Sequence, residues 1–176
     1  MQQFHLIPHE TTPCEFVRAV IVSVTRTSKS ALALFYTIHG DIERLKVPPP
    51  QLPARTDELW RETCFELFLR TGNSTAYSEF NFAASGAWAA YRFDDYRQGM
   101  HPLEPMQTPA IACSVSTRIL QVDVRLDVPD AEGNVQSAPA AVLQDMEGRV
   151  SYWALDHAPG KPDFHHPRAF AATLNQ

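Results

Sequence analysis

Along this chain, apolar positions recur with a period of two far more often than with a period near 3.6. Leu120, Val122, Val124, Leu126 and Val128 alternate with Gln121, Asp123, Arg125 and Asp127, the pattern of a strand with one face on a core and one in water. Phe16 to Thr25 (FVRAVIVSVT) and Ala31 to His39 (ALALFYTIH) are β-branched and roughly alternating, and each predicts a strand. Ile42 to Val47 predicts a short third one, stopped by Pro48, Pro49 and Pro50. Residues 1–15 read as a lead-in or an edge strand. Further strands are predicted at Cys64–Arg70, Tyr77–Ala83, Ala87–Phe93, Ile111–Ser116, Leu120–Val128, Ala140–Met146 and Val150–Asp156. Loops are predicted at Asp94–Pro109 and Pro129–Pro139, and no amphipathic helix of useful length is seen. About nine to ten short strands with frequent turns predict an all-β fold, an antiparallel β-sandwich of jelly-roll or immunoglobulin-like type.

A length of 176 residues suits one domain spanning the whole chain. The formal net charge of -5 gives no basic footprint for nucleic acid or an anionic membrane. No apolar run approaches a membrane span, and the N-terminal residues carry no basic-then-apolar leader pattern. Cys14, Cys64 and Cys113 form no CxxC pair, so neither a thiolate metal site nor a redox motif is expected. Together these features predict a cytoplasmic protein.

The chemistry gathers between Asp57 and Arg97. Cys64–Arg70, Tyr77–Ala83 and Ala87–Phe93 read as an antiparallel meander. Alternation places Phe65, Leu67, Leu69, Phe80, Phe82, Tyr91 and Phe93 on a core face. It places Glu66, Glu79, Asn81, Trp88 and Arg92 on the other. Neighbouring carboxylates on one face repel unless a cation or proton intervenes, and Arg92 is the expected cation. Carboxylates, an amide, a guanidinium and an indole suit a sugar: the ring stacks on its C–H face and the polar groups read its hydroxyls. Trp60, Tyr96 and Arg97 flank this face. The segment GKPDFHHPR adds Asp163 and His165 as a wall. Trp153 is assigned to the core.

The alternatives are a protein-interaction scaffold with no small ligand, a haem-binding module, and an enzyme. A glycoside hydrolase would need two carboxylates about 5 Å or about 6.5–9.5 Å apart, and Glu66 and Glu79 are the formal candidates. No GxSxG, P-loop or dinucleotide fingerprint is present. The residues therefore predict a non-catalytic module that binds a small polar ligand, a saccharide first, with no metal or other cofactor.

At LWRETCFELFL, at YSEFNFAASGAWAAYRFDDYR and at WALDHAPGKPDFHHPRAF, the chain resembles the DOMON-like β-sandwich domains. More narrowly, it resembles the branch similar to family 9 carbohydrate-binding modules, and within it the subgroup found fused to UDP-N-acetylenolpyruvoylglucosamine reductase. The resemblance spans roughly residues 16–170. It implies a sandwich with a non-catalytic ligand-binding role, sugar or haem as ligand, and calcium as a further cofactor of family 9 modules. The fusion partner implies a link to cell-wall precursor metabolism.

Overall fold

The computed structural model describes residues 1–104, 106–128 and 135–174. Among them are twelve strands and three 3-10 turns. In chain order the strands are β1 (Gln2–Pro8), β2 (Val17–Ser28), β3 (Ala31–Gly40), β4 (Cys64–Thr71), β5 (Tyr77–Phe82) and β6 (Trp88–Phe93). They continue with β7 (His101–Pro102), β8 (Ala110–Val115), β9 (Ile119–Asp127), β10 (Val135–Gln144), β11 (Val150–Ala154) and β12 (Ala172–Leu174). The order across the sheet is β7-β6-β5-β4-β10-β11-β1-β2-β3-β9-β8, with β12 beside β10. All pairings between these strands are antiparallel.

The path is continuous, not two separate sheets of jelly-roll or immunoglobulin type, because β1 serves both halves. Gln2–Leu6 pairs with β2, while Ile7 and Pro8 pair with β11. The N-terminal residues are therefore the strap joining the halves, not an edge strand. Each half turns an apolar face inward. Val20, Val22 and Val24 of β2, Leu34, Tyr36 and Ile38 of β3, and Leu120, Val122 and Val124 of β9 meet Phe65 and Leu67 of β4, Phe80 and Phe82 of β5, and Trp153 of β11 in one buried cluster. Period-two alternation is enough to specify this, since β2, β3 and β9 bury every second residue. Tyr36 carries one polar bond into this core: its hydroxyl donates to the Glu66 carbonyl at 2.7 Å.

The segment Ile42–Val47 is not a strand. Asp41 leads into a 3-10 turn at Ile42–Arg44, which buries Ile42, and one isolated bridge follows between Leu45 and Asp145. The long loop after Asp94 contains the two-residue β7, which pairs with Tyr91 and Arg92. The expected loop centred on Glu132 lies largely outside the described residues, and β10 begins at Val135, five residues earlier than alternation alone suggested. Gly40 ends β3 against the bulge at Val17. A Cβ there would stand 2.3 Å from the Phe16 carbonyl oxygen. Gly40→Ala is accordingly expected to cost about 1–3 kcal/mol by forced backbone displacement, read as a lower urea midpoint with an unchanged slope.

The half made of β4, β5, β6 and β10 is buried on both faces. Its inner face joins the cluster above. Its outer face carries Cys64, Phe68, Tyr77, Ala89, Tyr91, Phe93, Ala138, Ala140 and Val142, covered by Phe164, Ala169 and Phe170 of the C-terminal tail and by Leu59 and Trp60. The tail is thus a lid on the sheet, and the space beneath its N-terminal part is the candidate site.

Candidate functional site

Cross-strand partners share a sheet face. Glu66 lies opposite Asn81, and Phe68 opposite Glu79, between β4 and β5. Glu79 in turn lies opposite Tyr91, and Tyr77 opposite Phe93, between β5 and β6. The outer face therefore carries Glu66, Phe68, Tyr77, Glu79, Asn81, Tyr91 and Phe93. The two carboxylates are diagonal neighbours there, roughly 7 Å apart at the backbone.

The expected face of β6 is inverted. Trp88 opposes Phe82 and Arg92 opposes Ser78, so both point to the inner side. Trp88 is part of the main core, with the Arg55 guanidinium 5.2 Å from its ring, and Arg92 donates to the Ser78 hydroxyl at 3.3 Å. The register is set by the turn after Phe82, in which the Ala83 amide donates to the Ala87 carbonyl at 2.9 Å. Apolarity did not reveal the inversion because β4 to β6 are buried on both sides. Trp88 and Arg92 thus stand apart from Glu66 and Glu79, and Arg92 does not neutralise them.

The other named residues gather. A pocket of about 310 Å³ is lined by Trp60, Glu66, Glu79, Phe93, Arg97, Met100, Val142, Tyr152, Pro162, Phe164 and His165, a volume at the lower end of ligand pockets. Glu66 and Glu79 form its floor, each only 3% exposed. The Asn81 amide, behind them, donates to Glu79 Oε1 at 2.7 Å. Trp60 stands at one wall from the 3-10 turn Leu59–Arg61, its ring edge-on to Tyr91 at 5.9 Å. The Tyr91 hydroxyl donates to Asp57 at 2.6 Å, which ties that turn to the sheet.

The opposite wall is the tail. Asp163 does not line the pocket but organises it. Its carboxylate accepts from Arg97 Nη2 at 2.7 Å, from the Tyr96 hydroxyl, and from the His165 amide at 3.1 Å. Arg97 reaches it from a left-handed backbone conformation, φ 53°, with its amide on the Tyr77 hydroxyl at 3.2 Å. Tyr96 itself stays largely exposed at the rim. His165 packs edge-on against Phe68, Tyr77 and Phe93. Its Nδ1 meets the Tyr77 hydroxyl at 2.7 Å, and its Nε2 lies 3.7 Å from Glu79 Oε2.

Burial sets the protonation. Desolvation, with Glu79 as a second cause, pushes the Glu66 carboxyl well above its ordinary range. Desolvation pushes Glu79 up to about 7, against the Asn81 hydrogen bond and the positive charge of Arg97. Burial also drops His165 to about 4, helped by Arg97. His165 is therefore neutral at pH 7, and its contact with Glu79 is not an ion pair there. Asp163 lies below its ordinary value: the Tyr96 and Arg97 hydrogen bonds outweigh the opposing burial.

Among the described residues no group of three His, Cys, Asp or Glu is placed to hold a metal ion. His165, the one imidazole in the pocket wall, already has Nδ1 engaged by Tyr77 and its ring enclosed by three aromatic side chains.

Phe93, Met100, Val142, Tyr152, Pro162 and Phe164 are pocket residues that alternation did not single out. Phe93 was assigned to the core by its apolarity. The others come from four separate segments, the loop after Asp94, β10, β11 and the tail, and only the fold brings them together. A second pocket of about 290 Å³ lies between Phe16, Arg44 and Arg149. There Arg149 is paired with Asp145 at 2.8 Å, and the Arg44 guanidinium lies 4.5 Å from the Phe16 ring.

No protein-family model matches the chain. No curated protein matches it by sequence. Solved structures do resemble it. A candidate carbohydrate-binding protein from Bacteroides uniformis ATCC 8492 aligns over 96% of this chain and 83% of its own, with a TM-score of 0.69 at 11% identity. A family 9 carbohydrate-binding module from Caldicellulosiruptor kristjanssonii, in complex with cellotriose, aligns over 90% of this chain and 74% of its own, with a TM-score of 0.51 at 11% identity. This all-β chain thus shares the fold of carbohydrate-binding modules; at such identity the likeness speaks for the fold alone.

Proposed function

We propose that this protein is a non-catalytic module that binds a saccharide, or a metabolite containing one, in the pocket between the outer face of β4–β6 and the C-terminal tail. The observation that carries the reading is a concave site with two buried carboxylates on its floor and Trp60, Phe93, Tyr152 and Phe164 around it. Sugars need both elements: apolar ring faces for their C–H surfaces and polar groups in fixed positions for their hydroxyls. The shared fold with a family 9 module supports the class. The narrower affinity to DOMON-like domains, the link to cell-wall precursors and a cytoplasmic setting belong to the same proposal; the three free thiols suit a reducing compartment.

A thermal-shift screen of the full chain against mono- and oligosaccharides and nucleotide sugars tests it. Binding to the folded state is expected to raise the melting temperature, with the rise lost in Glu79→Ala. Trp60→Ala is expected to weaken binding about tenfold, or about 1.4 kcal/mol. No shift with any saccharide, or a shift indifferent to both substitutions, would defeat the reading.

A further inference from the structure

The floor of the pocket has acceptors in excess. Glu66 is 3% exposed, lines the pocket, and its carboxylate has no hydrogen-bond partner among the described residues. Glu79 has one oxygen on the Asn81 amide, and its other oxygen is 3.7 Å from His165 Nε2. Asn81, behind the floor, gives one of its two amide N–H groups to Glu79, and its own Oδ1 is buried without a partner. The nearest fixed cation, Arg97, lines the pocket and acts on Glu79 through its charge, but it gives neither glutamate a hydrogen bond. Arg97 is held at the rim by Asp163 through Nε at 3.2 Å and Nη2 at 2.7 Å, and Arg92 is on the opposite sheet face.

A buried acceptor without a donor costs about 1–3 kcal/mol, more when charged. A ligand that supplied donors and positive charge would recover that cost. A hydroxyl supplies one donor and brings its own acceptor lone pairs, whereas an ammonium supplies three donors and none. The pocket walls suit such a ligand too, since aromatic faces attract cations as well as sugar C–H surfaces.

We infer that the pocket selects a saccharide bearing a free ammonium, an amino sugar, with its nitrogen between Glu66 and Glu79. The inference rests on the saccharide reading above. It also predicts proton release. Glu79 faces Glu66 and Cys64 from β4, Tyr77 on its own strand, Tyr91 from β6, Arg97 from the turn and His165 from the tail. In that surrounding the carboxyls hold protons near neutral pH, and an arriving ammonium displaces them.

The test is calorimetric titration of the full chain at neutral pH with glucosamine, N-acetylglucosamine and glucose, which differ at one ring position. Glucosamine is expected to bind about tenfold tighter than the other two, and Glu66→Gln to erase that preference. In the wild type, only the glucosamine heat should vary with the ionisation heat of the buffer, since protons leave on binding. That arm stands even if the variant misfolds. Comparable affinity for all three, or tighter binding of a neutral sugar, would overturn the ammonium inference and leave the saccharide reading intact. Binding by none of the three would overturn the ammonium inference, while the saccharide reading stands or falls with the wider screen of oligosaccharides and nucleotide sugars.

Discussion

Glu79→Gln is expected to stabilise the folded protein above pH 7 by about 3 kcal/mol and to leave it unchanged near pH 4. Its carboxyl moves from an ordinary 4.5 to about 7 on folding, and about 1.4 kcal/mol attends each tenfold change in proton affinity. A carboxyl whose folded value is raised contributes stability that is complete below 4.5 and is lost as pH climbs through about 7. Glu66 acts in the same direction. Glutamine keeps an oxygen for the Asn81 amide and has no proton to lose. His165 works the other way: its folded value, about 4, is below the ordinary 6.5, so its contribution is present above 6.5 and is lost as pH falls toward 4. With two carboxyls losing stability as pH rises and one imidazole gaining it, the wild type should lose stability from about 4.5 upward, more steeply above 6.5 where the His165 trend has ended. In the variant the Glu66 and His165 trends oppose each other, so its curve should stay nearly flat up to 6.5 and fall only above it. Urea unfolding across this pH range reads the difference directly, and parallel curves for the two proteins would refute the burial account of Glu79.

Phe68→Ala is expected to cost about 3–5 kcal/mol and to loosen the lid. Phe68 is fully buried on the outer face of β4. Its ring contacts Tyr77, Phe164, His165 and Phe170 at centroid distances of 5.1 to 6.5 Å. It is the point where the sheet grips the tail, so its loss leaves a cavity under the segment that forms one wall of the pocket. Guanidinium unfolding should show the lowered stability. Limited trypsin proteolysis should show earlier cleavage after Arg168 than in the wild type, since local opening follows local packing. A variant equally stable and equally resistant would mean that the tail is held by something else.

Much of this architecture can be read from alternation. The strands β2, β3 and β9 bury one face each, so hydrophobic period and burial coincide. Glu66, Glu79 and Asn81 are legible for the opposite reason: polar side chains at every second position of apolar strands stand out. Trp60, Arg97 and His165 were placed near them by sequence proximity or composition, and the fold brings all three to the pocket. The sheet face of β6 was not legible. With both sides of that strand buried, Trp88 and Phe93 look alike in sequence, and only the pairing with Phe82 and Tyr77 separates core from site. Nor could the joining role of β1 be read, because it depends on a change of partner between Leu6 and Ile7. Asp163 was expected to touch ligand. It stands outside the pocket lining, and its carboxylate accepts four hydrogen bonds that position Arg97, Tyr96 and the tail.

On the proposed function, a saccharide enters between Trp60 and Phe164 over the two buried glutamates. Chemical-shift mapping of the labelled full chain during titration with a saccharide that raises its melting temperature is the most direct measurement. Perturbations centred on the Trp60 indole, Phe93, Tyr152, Phe164 and His165 are predicted, with the residues around Arg44 and Arg149 undisturbed. Perturbations centred on that second pocket, with the Trp60 and His165 signals unmoved, would contradict the account.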